Sequence, residues 1–189
     1  MKLKYVIPFV CISALISNAN AGTTEAQEKL QVQKVMQKFI ETVACKTDKE
    51  PLKVHLRNIQ LARKDSYSSS YYVLWESDLM CAGGSGTQGG NITLVEKYGT
   101  NPFVINVGNF DSILYAFGES VGFQYKFVQS IKRISDSEFE IVSWEHANDK
   151  WGGRDGGSNF PANKFKYILE KQKYNNWKIV NQVLLEQKK

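Results

Sequence analysis

The chain has 189 residues, of which 42% are hydrophobic and 12% aromatic, and its formal net charge is +5. This length suits one domain with a sizeable buried core, and the basic residues are scattered rather than gathered in a block, which argues against a nucleic-acid partner. No apolar stretch approaches the roughly twenty residues that a membrane-spanning helix needs.

The first residues have the pattern of an export signal. Two lysines precede an apolar run, and Ala19-Asn20-Ala21 then supplies the small-x-small pattern that signal peptidase recognises. We therefore expect residues 1–21 to be a cleaved signal peptide and residues 22–189 to be a single mature domain that begins at Gly22. The protein is expected to be periplasmic or secreted.

Two cysteines remain after this cleavage, Cys45 and Cys81. An even number of cysteines in an oxidising compartment predicts a disulfide bond between them. The alternative is that Cys81 is a nucleophile beside a glycine-rich turn, with His55 or His146 as its base.

An N-terminal helix is the first predicted element. Thr24-Glu25-Ala26-Gln27 fits a capping box, in which the threonine hydroxyl accepts a hydrogen bond from the third helical amide. Apolar residues then recur at three- and four-residue spacing from Val32 to Val43. The pattern predicts an amphipathic helix that ends near Cys45.

Beyond Pro51 the period changes to the alternation of β-strands. Because no helical pattern intervenes between successive strands, we expect antiparallel pairing. Segment 111–123 fits a strand, a helical turn or an apolar lid, and a strand is favoured. The other predicted strands are Val54–Ala62, Tyr71–Trp75, Asn91–Tyr98, Phe103–Val107, Tyr125–Ile134, Glu138–Trp144, Phe165–Lys171 and Trp177–Leu185. The predicted fold is α+β, with the amphipathic helix packed on a curved antiparallel sheet of about six to eight strands.

Two resemblances follow from particular segments. Tyr167-Ile168-Leu169-Glu170 followed by Asn176-Trp177-Lys178-Ile179-Val180 is similar to the closing hairpin of NTF2-like and cystatin-like α+β folds. The Trp75–Gly84 cluster with the later Asp155-Gly156-Gly157-Ser158 loop resembles small exported bacterial proteins of undefined function. Neither resemblance implies a catalytic residue.

The first glycine-rich segment, Gly84-Ser85-Gly86-Thr87-Gln88-Gly89, satisfies the G-x-G-x-x-G pattern of dinucleotide-binding loops. That chemistry needs a helix whose N-terminal amides face the pyrophosphate, whereas a strand pattern, Asn91–Val95, follows here. The segment therefore predicts a hairpin loop, and no nucleotide cofactor is expected.

The second glycine-rich segment begins at Trp151 and contains residue types that are enriched at binding hot spots. We predict an interaction loop in which Trp151, Arg154, Asp155 and Phe160 contact a partner, with Trp75 as a further contact residue. The alternative is a surface hairpin whose aromatic side chains fold back on the sheet.

Trp144-Glu145-His146 places a histidine beside a carboxylate, as general acid-base chemistry requires. Adjacent strand residues point to opposite faces, however, so Glu145 and His146 should not share a site. Ligand spacings typical of zinc or calcium sites are absent from the sequence, and so is a serine nucleophile motif. These observations favour binding over catalysis, with no metal and no cofactor.

The resulting hypothesis is a periplasmic protein that binds or inhibits another protein of the cell envelope through its glycine-rich and aromatic loops, as immunity proteins and lysozyme inhibitors do. One alternative is a small-ligand carrier with a pocket between helix and sheet, lined by Tyr71, Tyr72, Trp75 and Tyr115. The other is a cell-wall hydrolase of unrecognised type.

Overall fold

The computed structural model describes residues 23–45, 53–79, 88–105, 116–118, 121–173 and 176–189. In this part of the chain one helix, α1 (Glu25–Val43), precedes nine strands. Short 3₁₀ turns at Leu56–Asn58 and Tyr125–Phe127 lead into the second and sixth strands. The strands are β1 (Ala44–Cys45), β2 (Ile59–Lys64), β3 (Ser68–Leu79), β4 (Gln88–Tyr98), β5 (Val104–Ile105), β6 (Val128–Arg133), β7 (Glu138–Glu145), β8 (Asn163–Lys171) and β9 (Trp177–Gln187).

Helix α1 begins where the capping box predicts. The Thr24 side chain accepts a hydrogen bond from the Gln27 amide, and the Gln27 side chain accepts one from the Thr24 amide at 2.9 Å. This reciprocal pair satisfies two amides that a helix N-terminus leaves without helical partners. The apolar stripe is buried, at Val32, Met36 and Ile40.

All strand pairs are antiparallel, as predicted, but they form two sheets. One sheet has five strands in the order β1-β3-β4-β5, with β2 also paired to β3, and the other has four in the order β6-β7-β8-β9. The α+β outline with a helix packed on antiparallel sheet is therefore confirmed, whereas the single curved sheet is wrong. Residue alternation identifies strands one at a time, and it carries no information on which sheet a strand joins.

The helix, the five-stranded sheet and the four-stranded sheet pack as three layers. On β3, Tyr71, Val73 and Trp75 belong to a core shared with α1, whereas Tyr72 and Leu74 belong to a core shared with the four-stranded sheet. Strand β3 is thus buried on both faces, which explains its continuous run of apolar residues.

Several predicted boundaries shift for local reasons. The strand expected from Val54 begins only at Ile59, because a 3₁₀ turn precedes it. The strand expected from Tyr71 begins already at Ser68, because the turn before it is short. The Asp65 side chain accepts hydrogen bonds from the amides of Tyr67 and Ser68 in this turn.

Segment 111–123 is described at 116–118 and 121–123, where it contains no strand. Phe117, Val121 and Phe123 are buried in the core between the two sheets. The remainder of this prediction, the signal peptide and Cys81 lie outside the described residues.

Candidate functional site

A cleft of about 370 Å³ is lined by residues of both sheets. Its lining comes from β3, β4, the 3₁₀ turn before β6, β6, β7, the β7–β8 loop and the C-terminal end of the chain. We call it the aromatic cleft. The lining residues are Glu76, Gly89, Gly90, Lys126, Phe127, Val128, Gln129, Trp144, Asn159, Phe160, Pro161 and Lys188.

Two glycines of β4 let the 3₁₀ turn approach the sheet. A Cβ atom at Gly90 would lie 2.9 Å from the carbonyl oxygen of Tyr125 and 3.1 Å from that of Val128. A Cβ atom at Gly89 would lie 3.0 Å from the Lys126 side chain. This end of the first glycine-rich segment is therefore strand, and its lack of side chains sets the position of one cleft wall.

Two ammonium groups lie over the Trp144 ring. The Nζ atom of Lys188 is 4.7 Å from the ring centroid, and that of Lys164 is 5.6 Å from it. Both distances are within the range of a cation–π interaction, which stabilises a cation over an aromatic face. The cleft therefore presents positive charge directly beside an apolar surface.

A third lysine, Lys126, also has its ammonium group near an aromatic ring of the cleft. Lys126 Nζ is 5.4 Å from the Phe127 ring centroid and donates a hydrogen bond to Asn159 Oδ1 at 2.8 Å. The bond ties the β7–β8 loop to the 3₁₀ turn. It also fixes the residue that precedes Phe160.

Phe160 has 61% of its surface exposed at the edge of the aromatic cleft. Its amide donates to the Gly157 carbonyl at 2.9 Å, and its carbonyl accepts from the Gly156 amide at 2.8 Å. The backbone thus holds the ring in the solvent, where an apolar side chain gains nothing from burial.

Asp155 anchors the base of the same loop. Its carboxylate accepts from the Ala147 amide at 3.0 Å and pairs with His146 Nδ1 at 3.1 Å. The Ala147 hydrogen bond, helped by His146, holds the pKa of Asp155 below its usual value. His146 in turn packs edge-on against Phe127, with centroids 5.5 Å apart. Asp155 therefore makes internal contacts that support the cleft wall.

The other two predicted loop residues differ in burial. The Trp151 ring packs against the core residue Phe165, with centroids 5.1 Å apart, and its carbonyl accepts from Gln187 Nε2 at 2.6 Å. This is the arrangement in which an aromatic side chain folds back on the sheet. Arg154 is exposed, and its amide donates to the Lys188 carbonyl at 3.0 Å, beside the cleft.

Trp75 lies in the helix-side core and does not reach the cleft. It is 2% exposed, packs at a centroid distance of 5.9 Å on Phe39, and donates from Nε1 to Thr93 Oγ1 at 2.9 Å. Of the predicted contact residues, only Phe160 lines the cleft. Trp75 lies in a continuous apolar run, which is typical of a strand that is buried on both faces.

Sequence reasoning did not identify the three residues that give the cleft its character, Lys126, Trp144 and Lys188. They come from separate segments, so no local motif contains them. For Trp144 the sequence does contain an indication of its position. Phe139 and Ile141 mark the buried face of β7, and alternation along the strand places Trp144 on the opposite face.

Glu145 and His146 do not form an acid-base pair, as strand alternation predicts. Glu145 accepts from the Gln124 amide at 2.7 Å and from the Tyr167 hydroxyl at 3.1 Å, whereas His146 pairs with Asp155. Burial raises the pKa of Glu145 despite these bonds. Cys81, the nucleophile of the alternative hypothesis, is outside the described residues.

The residues proposed to line a carrier pocket point in different directions. Tyr71 donates to Glu28 on the helix side at 2.7 Å, whereas the Tyr72 hydroxyl accepts from Trp177 Nε1 in the core between the sheets at 3.1 Å. The cavity that Tyr72 lines has a volume of only about 160 Å³. Tyr115 lies outside the described residues.

Comparisons of the chain with protein-family models, with curated proteins and with solved structures find no match. The resemblances noted from the sequence therefore stay predictions. Within the described ranges, no helix is long and apolar enough to cross a membrane, and no three His, Cys, Asp or Glu side chains group as metal ligands would.

Proposed function

We propose that this protein is an exported binding protein that captures an acidic segment of another protein in the aromatic cleft, as an inhibitor or immunity protein of the cell envelope does. The observation that carries the proposal is the exposed Phe160 ring beside Trp144, whose face is covered by two ammonium groups. Aromatic residues are enriched at the energetic centres of protein interfaces.

The charge of the cleft supports an acidic partner. Lys126, Lys164 and Lys188 lie over aromatic rings, and Glu76 is the one carboxylate among the lining residues. Carboxylates of the partner would pair with the ammonium groups while its apolar side chains cover the rings. Because such pairs lie partly in solvent, they should raise the association rate and make binding weaken as salt increases.

The loop that carries Phe160 supports a protein partner. Asp155 and Lys126 hold the loop at its two ends, so Phe160 is presented on a fixed backbone. A ring that is already ordered loses little conformational entropy on binding. The export signal would place this surface among envelope proteins.

Site-specific photo-cross-linking tests the proposal. A benzophenone amino acid replaces Phe160 in the full exported chain, the cells are irradiated, and the cross-linked polypeptide is identified by mass spectrometry. The identified protein is then purified, and its Kd is measured for the wild type and for Phe160→Ala. We expect the Kd to rise by about tenfold or more, the effect of losing a hot-spot aromatic.

The matched control is Tyr98→Ala, which removes another exposed aromatic ring at the far end of β4. This variant should keep the wild-type Kd. The proposal is overturned if position 160 cross-links to no polypeptide, or if the two alanine variants weaken binding equally.

A further inference from the structure

A second cavity, of about 380 Å³, lies at the other end of β4 from the aromatic cleft. It is enclosed by the start of α1, the β2–β3 turn and the residues that end β4. We call it the Glu28 pocket after the buried carboxylate at its base. Nothing in the proposed function uses it.

Three hydrogen-bond donors form a row across the floor of this pocket. Lys64 of β2 and Lys97 of β4 are both register partners of Ser69, which lies between them on β3. The two ammonium groups converge on one carboxylate, since Lys64 Nζ is 3.0 Å from Glu28 Oε2 and Lys97 Nζ is 2.9 Å from Oε1.

The Glu28 carboxylate accepts three hydrogen bonds, and the ammonium groups around it have more donors than these bonds use. Its Oε2 atom also accepts from the Tyr71 hydroxyl at 2.7 Å. An ammonium group has three N–H donors. Lys97 uses one of them on Glu28, and Lys64 uses two, on Glu28 and on the Thr23 carbonyl at 3.1 Å.

Ser69 supplies the independent observation that points to a ligand. Ser69 is one of the lining residues and is 2% exposed, yet among the described residues its buried Oγ atom has no hydrogen-bond partner. A buried hydroxyl without a partner destabilises the folded state, because it has lost its hydrogen bonds to water. A ligand acceptor between the two lysines would satisfy it.

The local charge selects a monoanion. Among the lining residues, Lys64 and Lys97 carry two positive charges and Glu28 and Asp65 carry two negative charges. Arg63, which pairs with Asp65 from outside the lining, leaves one positive charge over. We propose that the Glu28 pocket binds the carboxylate of a small organic acid, with Lys64, Lys97 and the Ser69 hydroxyl as donors.

The rim of the pocket favours an acid with an apolar body. Tyr67 lines the pocket and is 68% exposed, and its ring lies within 3.2 Å of where a Cβ atom would stand on Gly99. The ring is thus held at the pocket edge, where it can cover the part of the ligand that carries no charge. This proposal is independent of the partner proposed for the aromatic cleft.

Fluorine NMR with 4-fluorobenzoate as the probe tests the proposal on the mature protein. We expect saturable binding that acetate displaces. Ser69→Ala should weaken probe binding by about tenfold, since the variant loses a hydrogen bond to a charged group. Inorganic phosphate, mostly a dianion at pH 8, should displace the probe less well than acetate.

The matched control is Ser77→Ala. Ser77 is on the same strand, is also 2% exposed, and also has an Oγ atom without a partner among the described residues, but it does not line the pocket. This variant should bind the probe like the wild type.

Thermal melts show whether each variant is folded. If Ser69→Ala is too unstable to titrate, Lys64→Gln is measured in its place. The Lys64 side chain is 39% exposed, so this change should disturb the fold less, and it should also weaken probe binding. The proposal is overturned if the wild type shows no saturable binding, or if the tested pocket variant binds the probe as well as Ser77→Ala does.

Discussion

Glu28 shows how one buried carboxylate can attach a helix to a sheet. It is 3% exposed in the first turn of α1 and meets Lys64 of β2, Tyr71 of β3 and Lys97 of β4. Burial acts to raise the pKa of this carboxyl, but the hydrogen bonds from Lys97, Tyr71 and Lys64 outweigh burial and lower it. The helix is therefore bound to three strands through one ionised group.

Glu28→Gln should destabilise the protein by about 2 kcal/mol, less than for a fully buried pair because Lys64 is partly exposed. The free energy of unfolding from urea titration measures the loss. Glu25→Gln is the control, since Glu25 is in the same turn but is 47% exposed and pairs with Lys29 at 3.0 Å. A control loss as large as that of Glu28→Gln would show that helix-terminal charge, rather than the buried cluster, sets the effect.

The same carboxyl predicts a pH dependence. Its pKa in the folded state is lowered, so its contribution to stability is complete above the unfolded-state value and is lost as the pH falls through the folded-state value. We expect the wild type to lose more stability than Glu28→Gln between about pH 5 and pH 3. Urea titrations of both proteins across this range measure the difference, and parallel curves would contradict the prediction.

Trp151 and Arg154, neighbours in one loop, should respond differently to alanine. Trp151→Ala should cost about 2 kcal/mol, because the half-buried ring packs on Phe165. Arg154→Ala should change the melting temperature little, since its side chain is exposed. Thermal unfolding of the two variants checks this, and equal melting temperatures would contradict it.

At the scale of elements, the approach of the 3₁₀ turn to β4 shapes the aromatic cleft. The turn carries Tyr125 into the core and places Lys126 and Phe127 in the cleft wall. This approach is possible because Gly90 has no side chain where the Tyr125 carbonyl passes. Gly90, which directly follows the first glycine-rich segment, is therefore explained by packing between two elements.

Gly90→Ala should cost about 1–3 kcal/mol and displace the turn, because its Cβ atom would lie 2.9 Å from a backbone oxygen that cannot rotate away. Gly89→Ala should cost less, since the nearest atom is in the flexible side chain of Lys126. Urea titration gives the stabilities, and the NMR signal of the Trp144 indole N–H reports on the cleft. Equal losses for the two variants would rule out the backbone contact as the cause.

At the scale of the whole molecule, a disulfide is expected to join the end of the helix layer to the five-stranded sheet. Strand β1 follows α1 directly, and its Cys45 pairs in register with Asp78 of β3. Cys81 comes three residues later in the sequence, outside the described residues. The register therefore supports the pairing that the cysteine count predicts.

Reducing this bond should cost about 2–5 kcal/mol of stability. The measurement is the melting temperature of the mature protein with and without reductant. A Cys45→Ala/Cys81→Ala variant should melt low in both conditions. If the unfolded wild type reacts with two equivalents of a thiol reagent before any reduction, the disulfide is absent.

Local patterns were enough to predict the parts of the fold that depend on neighbours in the sequence. The capping box of Thr24 and Gln27, the buried stripe of α1 and the alternation of β7 each rest on contacts a few residues apart or on the geometry of one element. For the same reason, strand alternation correctly separates Glu145 from His146.

Tertiary structure alone decided which sheet each strand joins. It therefore also decided which residues line the candidate site. Trp75 and Trp144 both lie in β-strands, yet one is enclosed beneath the helix and the other lines the aromatic cleft. Lys126 and Lys188 are brought to that cleft by strand pairing and by the packing of two sheets. These contacts join residues far apart in the chain, so their formation depends on the free energy of burying whole faces, and no short stretch of sequence contains that information.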